Sequence, residues 1–261
     1  MRTSVAIVTL GCKTNQFESA AMSEQLSQAG YQQVAFEEGA ELVVVNTCTV
    51  TAATDAQSRK LIRRARRLNS KARIVVTGCY AQIDPKSLNQ LPGVALVIGN
   101  NEKGQLLEHL LENTEPGQIQ VSDIRDSSTI EPLSLTGFEH RSRAFVQIQN
   151  GCDAFCSYCI IPYARGRSRS VLVSDVVKQI EKLSANGYPE IVLTGIHIGH
   201  YGQDFNPEID LLTLLKSIEL SNFSGRLRLG SIEPTELSEE LYRYVLNSDW
   251  ICPHFHIPLQ A

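Results

Sequence analysis

Apolar and polar positions alternate along the first hundred residues in a regular way. Strand-length apolar runs recur at 5–10, 42–45, 74–77 and 95–98. Stretches with helical spacing separate them at 18–29, 52–68, 84–91 and 102–111. The 52–68 stretch is the most amphipathic, and the first helical stretch runs into Gly30, a residue suited to end a helix. Strands alternating with helices predict a parallel sheet covered on its faces. The expected fold is therefore α/β, beginning with a small doubly wound domain over residues 1–113.

The rhythm breaks over 114–141, which is rich in Ser, Thr, Pro, Gly and charge and reads as a linker. A second series follows, with strands predicted at 144–149, 191–193, 227–229 and 254–257 and helices at 174–186, 211–219 and 236–247. It has the order of an α/β barrel, but residues 142–261 are far fewer than the ~250 of a complete one. The chain stops directly after its last predicted strand. The expectation is a partial barrel, incomplete at the C-terminus, in a fragment of a longer protein.

Composition narrows the class. The 261 residues carry a formal net charge of −4 and 43% hydrophobic residues, as an ordinary one- or two-domain chain does. No run approaches the ~20 apolar residues of a membrane helix. The apolar run at 5–10 is too short for a signal peptide, and the faint lipoprotein-like step Leu10-Gly11-Cys12 suffers from the same shortness. The expected location is the cytoplasm, with no membrane association. Seven cysteines, an odd number, argue against a disulfide framework there.

Three of them, Cys12, Cys48 and Cys79, each follow a predicted strand and precede a helix. In a parallel sheet those strand ends share one edge, where open α/β folds bind ligands. Glycines at 11 and 78 let the backbone turn closely beside whatever binds. Three thiolates on one rim suit an iron–sulfur cluster with one open iron. Zinc, which usually takes four ligands in a structural site, and plain buried thiols stand as alternatives.

Cys152, Cys156 and Cys159 form a C-x-x-x-C-x-x-C segment in the loop after the 144–149 strand. Three thiolates on one compact loop leave one iron of a cubane cluster free to chelate the amino and carboxylate groups of a small molecule. A zinc knuckle needs a fourth ligand nearby, and none follows at metal spacing.

This segment, opening a barrel-like series, resembles the radical S-adenosylmethionine (SAM) superfamily. With three strand-end cysteines upstream, the chain resembles the methylthiotransferase family along its whole length. Residues 9–19 (TLGCKTNQFES), 45–50 (VNTCTV) and 77–82 (TGCYAQ) match the family's first domain, and 149–169 (QNGCDAFCSYCIIPYARGRSR) its second. Together with 193–199 (LTGIHIG) and 228–234 (RLGSIEP), these motifs resemble the branch acting on N6-threonylcarbamoyladenosine of tRNA. Val171 departs from the family pattern, which has Arg there. The family's remaining barrel strands and its C-terminal RNA-binding domain do not follow residue 261.

The resemblance implies two 4Fe–4S clusters and SAM. Cys152, Cys156 and Cys159 would hold the catalytic, SAM-chelating cluster. Cys12, Cys48 and Cys79 would hold the one that carries sulfur. A methylthio group would be added to C2 of the modified adenosine at position 37 of tRNA, with electrons from a flavodoxin- or ferredoxin-type donor. Alternatives are methylthiolation of isopentenyladenosine in tRNA, methylthiolation of a ribosomal-protein aspartate, a non-catalytic iron–sulfur module or a zinc-binding RNA module. Tyr158, Gly195 and Glu233 are candidate SAM contacts, each with a plain packing or turn role as its alternative. The basic residues Arg63, Arg66, Arg67, Arg165, Arg167 and Arg169 are candidate contacts for tRNA phosphates. Cys252 reads as a core thiol, and His197, His200, His254 and His256 as structural histidines near strand ends. The oligomeric state is not encoded in any pattern found.

Overall fold

A computed structural model describes residues 2–112, 115–130, 132–138 and 141–259. Residues 114, 131, 139 and 140 of the expected linker, and residues 260–261 at the expected barrel end, lie outside the described residues. The chain divides into two compact units. One comprises Met1–Ser127 and Ala154–Gly166, the other Ser128–Asp153 and Arg167–Ala261.

The first unit is built on six parallel strands: β1 (Ser4–Thr9), β2 (Gln32–Gln33), β3 (Leu42–Thr47), β4 (Arg73–Gly78), β5 (Val94–Ile98) and β6 (Gln118–Gln120). Their order in the sheet is β2-β1-β3-β4-β5-β6. The central strand β3 is buried at every position, which explains its unbroken apolar run: a parallel sheet has helices on both faces. Side chains alternate between those faces. Val43, Val45, Ile74 and Val76 pack with Ile62 and Ala65 of α2 (Ala52–Leu68). Val44 and Val75 pack on the other face with Met22 and Leu26 of α1 (Lys13–Gln28) and with Leu106 and Leu110 of α5 (Leu106–Glu112). The doubly wound expectation is met.

Four local readings change. Helix α1 begins at Lys13 rather than near residue 18, because its opening turns bury polar residues (Thr14, Asn15, Glu18) and show no apolar period. The helix read at 84–91 is the shorter α4 (Pro85–Asn89), and a separate helix not expected from the sequence, α3 (Cys79–Ile83), precedes it. They divide at Asp84, whose carboxylate accepts the Ser87 N–H at 3.2 Å while Pro85 opens α4. The stretch at 102–111 is a 3-10 turn followed by α5. Part of the segment read as linker forms β6, paired along β5.

The portion 154–166 of this unit contains α6 (Ile161–Arg165), which packs on α3 and on the 3-10 turn Ile124–Asp126. The Asn100 side-chain amide donates to the Ala164 carbonyl at 2.6 Å.

The second unit carries three parallel strands, β7 (Arg143–Gln147), β10 (Glu190–Thr194) and β11 (Arg226–Arg228), in the order β11-β10-β7. A short antiparallel pair, β8 (Gln149–Asn150) and β9 (Arg169–Ser170), adjoins the cysteine segment in sequence. Helices α7 (Val173–Ala185), α8 (Leu211–Glu219) and α9 (Glu239–Asn247) complete the strand–helix series. The strand expected at 254–257 is absent among the described residues. Only isolated parallel bridges, Leu227 to Ile251 and Ser231 to His256, extend the order past β11. Cys252 is buried there, its N–H donating to the Leu227 carbonyl at 2.7 Å, as a core thiol would be placed. Among the described residues, no helix is long and apolar enough to cross a membrane.

A candidate iron–sulfur centre

The parallel register explains why three cysteines distant in sequence share one rim of the first unit. Thr9 pairs with Asn46, and Thr47 with Gly78, so β1, β3 and β4 end together. Cys12 follows β1 and caps α1; Cys48 directly follows β3; Cys79 directly follows β4 and opens α3. Cys12 is exposed, whereas Cys48 and Cys79 are buried. Burial raises the Cys48 thiol pKa, and the nearby Cys79 and Cys12 sulfurs push it the same way. Gly11 (φ +96°) lies against Cys48: a Cβ at Gly11 would stand 2.9 Å from the Cys48 Cβ and 3.0 Å from its sulfur. Gly78 (φ +95°) lies closer still to its neighbours: a Cβ there would stand 2.6 Å from both Asn46 Oδ1 and the Thr47 nitrogen.

The polar residues of the 9–19 motif hold these turns in place. The Asn15 amide donates to the carbonyls of Leu10 (2.6 Å) and Thr47 (3.0 Å), joining the first two cysteine turns. The Asn46 amide donates back to the Asn15 carbonyl and to Ser19 Oγ, each at 3.0 Å. The Thr47 hydroxyl donates to the Thr77 carbonyl and accepts the Ala81 N–H, joining the second turn to the third. Buried polar groups need such partners, and here those partners tie the strand ends to one another and to α1.

Behind Cys79 lies a buried ionic group. Arg165 is fully buried and its Nε–H donates to the Cys79 sulfur at 3.2 Å. Its two terminal nitrogens embrace the Glu18 carboxylate, and one also donates to the Asn15 side chain. Lys103, also buried, donates to the same Glu18 carboxylate. Burial alone would raise the Glu18 carboxyl, but Arg165 and Lys103 hold it below its usual range.

In the second unit, Gln149 organises the approach to Cys152. Its amide donates to the carbonyls of Asn150 (3.1 Å) and Gly151 (2.8 Å) and to Ser168 Oγ (2.9 Å). Its carbonyl accepts the N–H groups of Ile196 and His197 at 3.0 and 2.8 Å. Gly195 is needed here, since a Cβ would meet the Gln149 carbonyl at 3.0 Å. His197 Nδ1 stands 3.4 Å from the Cys152 sulfur, and its Nε2 meets the Glu236 carboxylate. The His200 ring stacks on His197 at 3.9 Å between centroids and reaches the same carboxylate at 3.2 Å. Contact with Cys152, then with Glu236, pushes His197 up to about 10, while burial and the His197 charge lower His200. The cysteine segment itself is open. Cys156 is exposed, Tyr158 is 72% exposed, and Phe155 holds a φ of +45°, the sole positive φ outside glycine among the described residues. Such backbone strain collects at functional loops.

Of the candidate phosphate contacts, Arg63, Arg66 and Arg67 lie exposed on α2, and Arg167 is also exposed. Arg165 and Arg169 are corrections. Arg165 is committed to Glu18, Asn15 and Cys79, and Arg169, 4% exposed, donates to the carbonyls of Arg167 and Thr129. Neither faces solvent, so neither is available to RNA. Glu233 starts the 3-10 turn Pro234–Glu236, and the carboxylate that reaches the histidines belongs to Glu236. Sequence reading missed Asn15, Glu18, Lys103, Gln149 and Glu236. Asn15, Glu18 and Gln149 lay inside quoted motifs, but nothing in the motif told which way their side chains point.

Comparison with known proteins places this geometry. Residues 4–99 match the Uncharacterized protein family UPF0004, and residues 146–261 match the Radical SAM superfamily. The chain is 41% identical to the threonylcarbamoyladenosine tRNA methylthiotransferase MtaB of Bacillus subtilis, over 99% of this chain and 58% of that protein. It is 39% identical to the protein of the same name from Aquifex aeolicus, over 98% of this chain and 63% of the relative. It is 34% identical to a tRNA-2-methylthio-N(6)-dimethylallyladenosine synthase of Desulfotalea psychrophila, over 99% and 61%. The chain thus spans about six-tenths of the length of these relatives. Among solved structures, the radical S-adenosylmethionine methyltransferase TsrM of Kitasatospora setae, with cobalamin and a 4Fe–4S cluster bound, superposes with a TM-score of 0.54. At 20% identity over 94% of this chain and 59% of that one, the likeness is one of fold. With one family's region in its first hundred residues, the other's from residue 146 on, and curated relatives aligned over 98–99% of this chain, the chain is similar along its length to radical SAM methylthiotransferases.

Proposed function

We propose that this chain is a radical SAM methylthiotransferase that adds a methylthio group to C2 of N6-threonylcarbamoyladenosine at position 37 of tRNA. The observation that carries the reading is the shared rim of Cys12, Cys48 and Cys79, a three-thiol donor set bordered by glycines and backed by a buried cation. Three soft thiolates beside a positive charge fit an anionic iron–sulfur cluster with one iron left open. The relatives' names supply the substrate.

In this reading Cys12, Cys48 and Cys79 hold one 4Fe–4S cluster, and Cys152, Cys156 and Cys159 hold a second that binds SAM. When bound, a reduced cluster with SAM supplies the homolytic C–H chemistry that no side chain provides. The chain's own residues position and shield. Gln149 fixes the backbone on both sides of Cys152, and His197 meets the Cys152 sulfur with Glu236 holding its far nitrogen. Gly195 keeps its strand end open for the SAM amino group, the exposed Tyr158 ring offers a face to the SAM adenine, and Glu233 lies near the same strand ends. Arg63, Arg66, Arg67 and Arg167 present charge to tRNA phosphates.

The domain reading that goes with this function is a cluster-binding domain at 1–113, a linker at 114–141 and a radical SAM domain at 142–261. The reductant is of the flavodoxin or ferredoxin type, and the location is the cytoplasm. A second reading, methylthiolation of dimethylallyladenosine in tRNA, draws on the 34% identical relative of that name.

The test is expression in a bacterium that lacks both methylthio-nucleosides, with digestion of its tRNA and mass spectrometry of the nucleosides. Appearance of 2-methylthio-N6-threonylcarbamoyladenosine supports the first reading and the dimethylallyl product the second. Neither product, from a soluble and cluster-loaded chain, overturns both.

A further inference from the structure

We propose that Arg165 belongs to the N-terminal cluster: it donates a hydrogen bond to the sulfur of Cys79 and offsets the charge of the cluster that Cys12, Cys48 and Cys79 hold. The proposal rests on the assignment of those cysteines made above.

Arg165 comes from an unexpected place in the sequence. It lies six residues after Cys159, the last cysteine of the C-x-x-x-C-x-x-C segment, and it ends α6. Yet α6 packs on α3, the helix that Cys79 opens, and the 154–166 segment belongs to the first unit. The segment that carries Cys156 and Cys159 therefore also delivers a cation to the first cluster's rim. The neighbouring Gly166 makes this possible. Its φ of +73° turns the chain where a Cβ would strike the Ile124 carbonyl.

The charges explain why the cation is there. Around Glu18, among the described residues, two buried cations (Arg165 and Lys103) face one carboxylate. The group carries an excess positive charge, which is costly away from water unless an anion lies beside it. The atom that Arg165 Nε–H reaches is the Cys79 sulfur, at 3.2 Å. A cubane core held by three thiolates is an anion, and more so once reduced. A positive charge and an N–H donor at one ligand sulfur thus favour the reduced form and raise the reduction potential. They also shield the buried sulfur from exchange.

The experiment uses the full chain with Cys152, Cys156 and Cys159 changed to Ala, so that iron bound at four per chain (~4, the content of one cubane) reports on the N-terminal rim. After anaerobic reconstitution, iron and sulfide are counted and the cluster is titrated against potential by electron paramagnetic resonance. Arg165→Gln leaves Lys103 paired with Glu18, so the buried group loses its excess positive charge and becomes neutral. Its cluster is expected at a clearly more negative potential, with Arg165→Lys between it and the parent. An intact cluster at unchanged potential in Arg165→Gln overturns the proposal. Should Arg165→Gln fail to fold, Lys103→Met decides. It retains the Arg165 contact while removing one positive charge; a more negative potential supports the charge argument, and an unchanged one overturns it. No iron in the parent chain would instead defeat the assignment of Cys12, Cys48 and Cys79.

Discussion

His197 stands between Cys152 and Glu236, with Nδ1 3.4 Å from the sulfur and Nε2 on the carboxylate. A carboxylate–histidine pair of this kind fixes the orientation of the ring. In the metal-free protein it also ties stability to pH. The His197 pKa rises from its usual 6.5 to about 10, chiefly through contact with Cys152. A group whose folded pKa is raised lends stability that is full below the unfolded value and lost as pH climbs through the folded one. The cluster-free chain is therefore expected to lose stability between pH 6.5 and 10. Urea melts across that window should show the loss in the parent and little of it in His197→Asn.

Glu18 gives the opposite dependence. Arg165 and Lys103 hold its carboxyl below the ordinary 4.5 despite burial. Its contribution is present above pH 4.5 and disappears as pH falls through the lower, folded value. Breaking a buried ion pair from one side costs about 3–5 kcal/mol. Glu18→Gln should be destabilised by that order near pH 7, and the gap to the parent should narrow in acid. Denaturant melts at pH 7 and at progressively lower pH measure both.

Gly78 and Gly30 both hold positive φ, at +95° and +91°, but in different surroundings. A Cβ at Gly30 meets nothing within 4 Å, while one at Gly78 would collide with Asn46 Oδ1 and the Thr47 N–H, each at 2.6 Å. Gly30→Ala should cost about 1 kcal/mol, the backbone strain alone. Gly78→Ala should cost several times more and impair iron binding at the rim, as thermal melts and iron counts on the two variants will show.

The exposed arginines of α2 make a prediction about RNA. Contacts to phosphate weaken binding evenly across sequences when removed and lower its salt dependence by about one unit of slope each. The triple variant Arg63→Glu, Arg66→Glu, Arg67→Glu should bind tRNA more weakly, with a slope smaller by about three, and melt as the parent does. Filter binding over a range of salt concentrations tests this.

How much of this was legible beforehand follows from where the signal lay. The strands β3, β4 and β5 were plain because a sheet covered on both faces needs unbroken apolar runs. The three strand-end cysteines followed from that sheet. The first turn of α1 was invisible because its buried face is polar, serving the cysteine turns rather than the core. Residues 118–120 hid for a different reason: as an edge strand, β6 has no need of apolar side chains on both faces. Arg165 was misread as an RNA contact because clustered arginines look alike in sequence. Its burial depends on Glu18, 147 positions away. Glu236 was passed over because nothing in the sequence shows that the three-residue 3-10 turn Pro234–Glu236 carries its carboxylate to His197.

The central claim is that Cys12, Cys48 and Cys79 hold a cluster separate from the one at Cys152, Cys156 and Cys159. Anaerobic reconstitution with iron and sulfide counts, on the parent and on the triple Cys12, Cys48, Cys79→Ala variant, tests it directly. The account predicts about eight irons falling to about four, the contents of two cubane clusters and of one. About four irons in both proteins would contradict it, leaving the N-terminal cysteines without a cluster and the methylthiotransferase reading without its sulfur site.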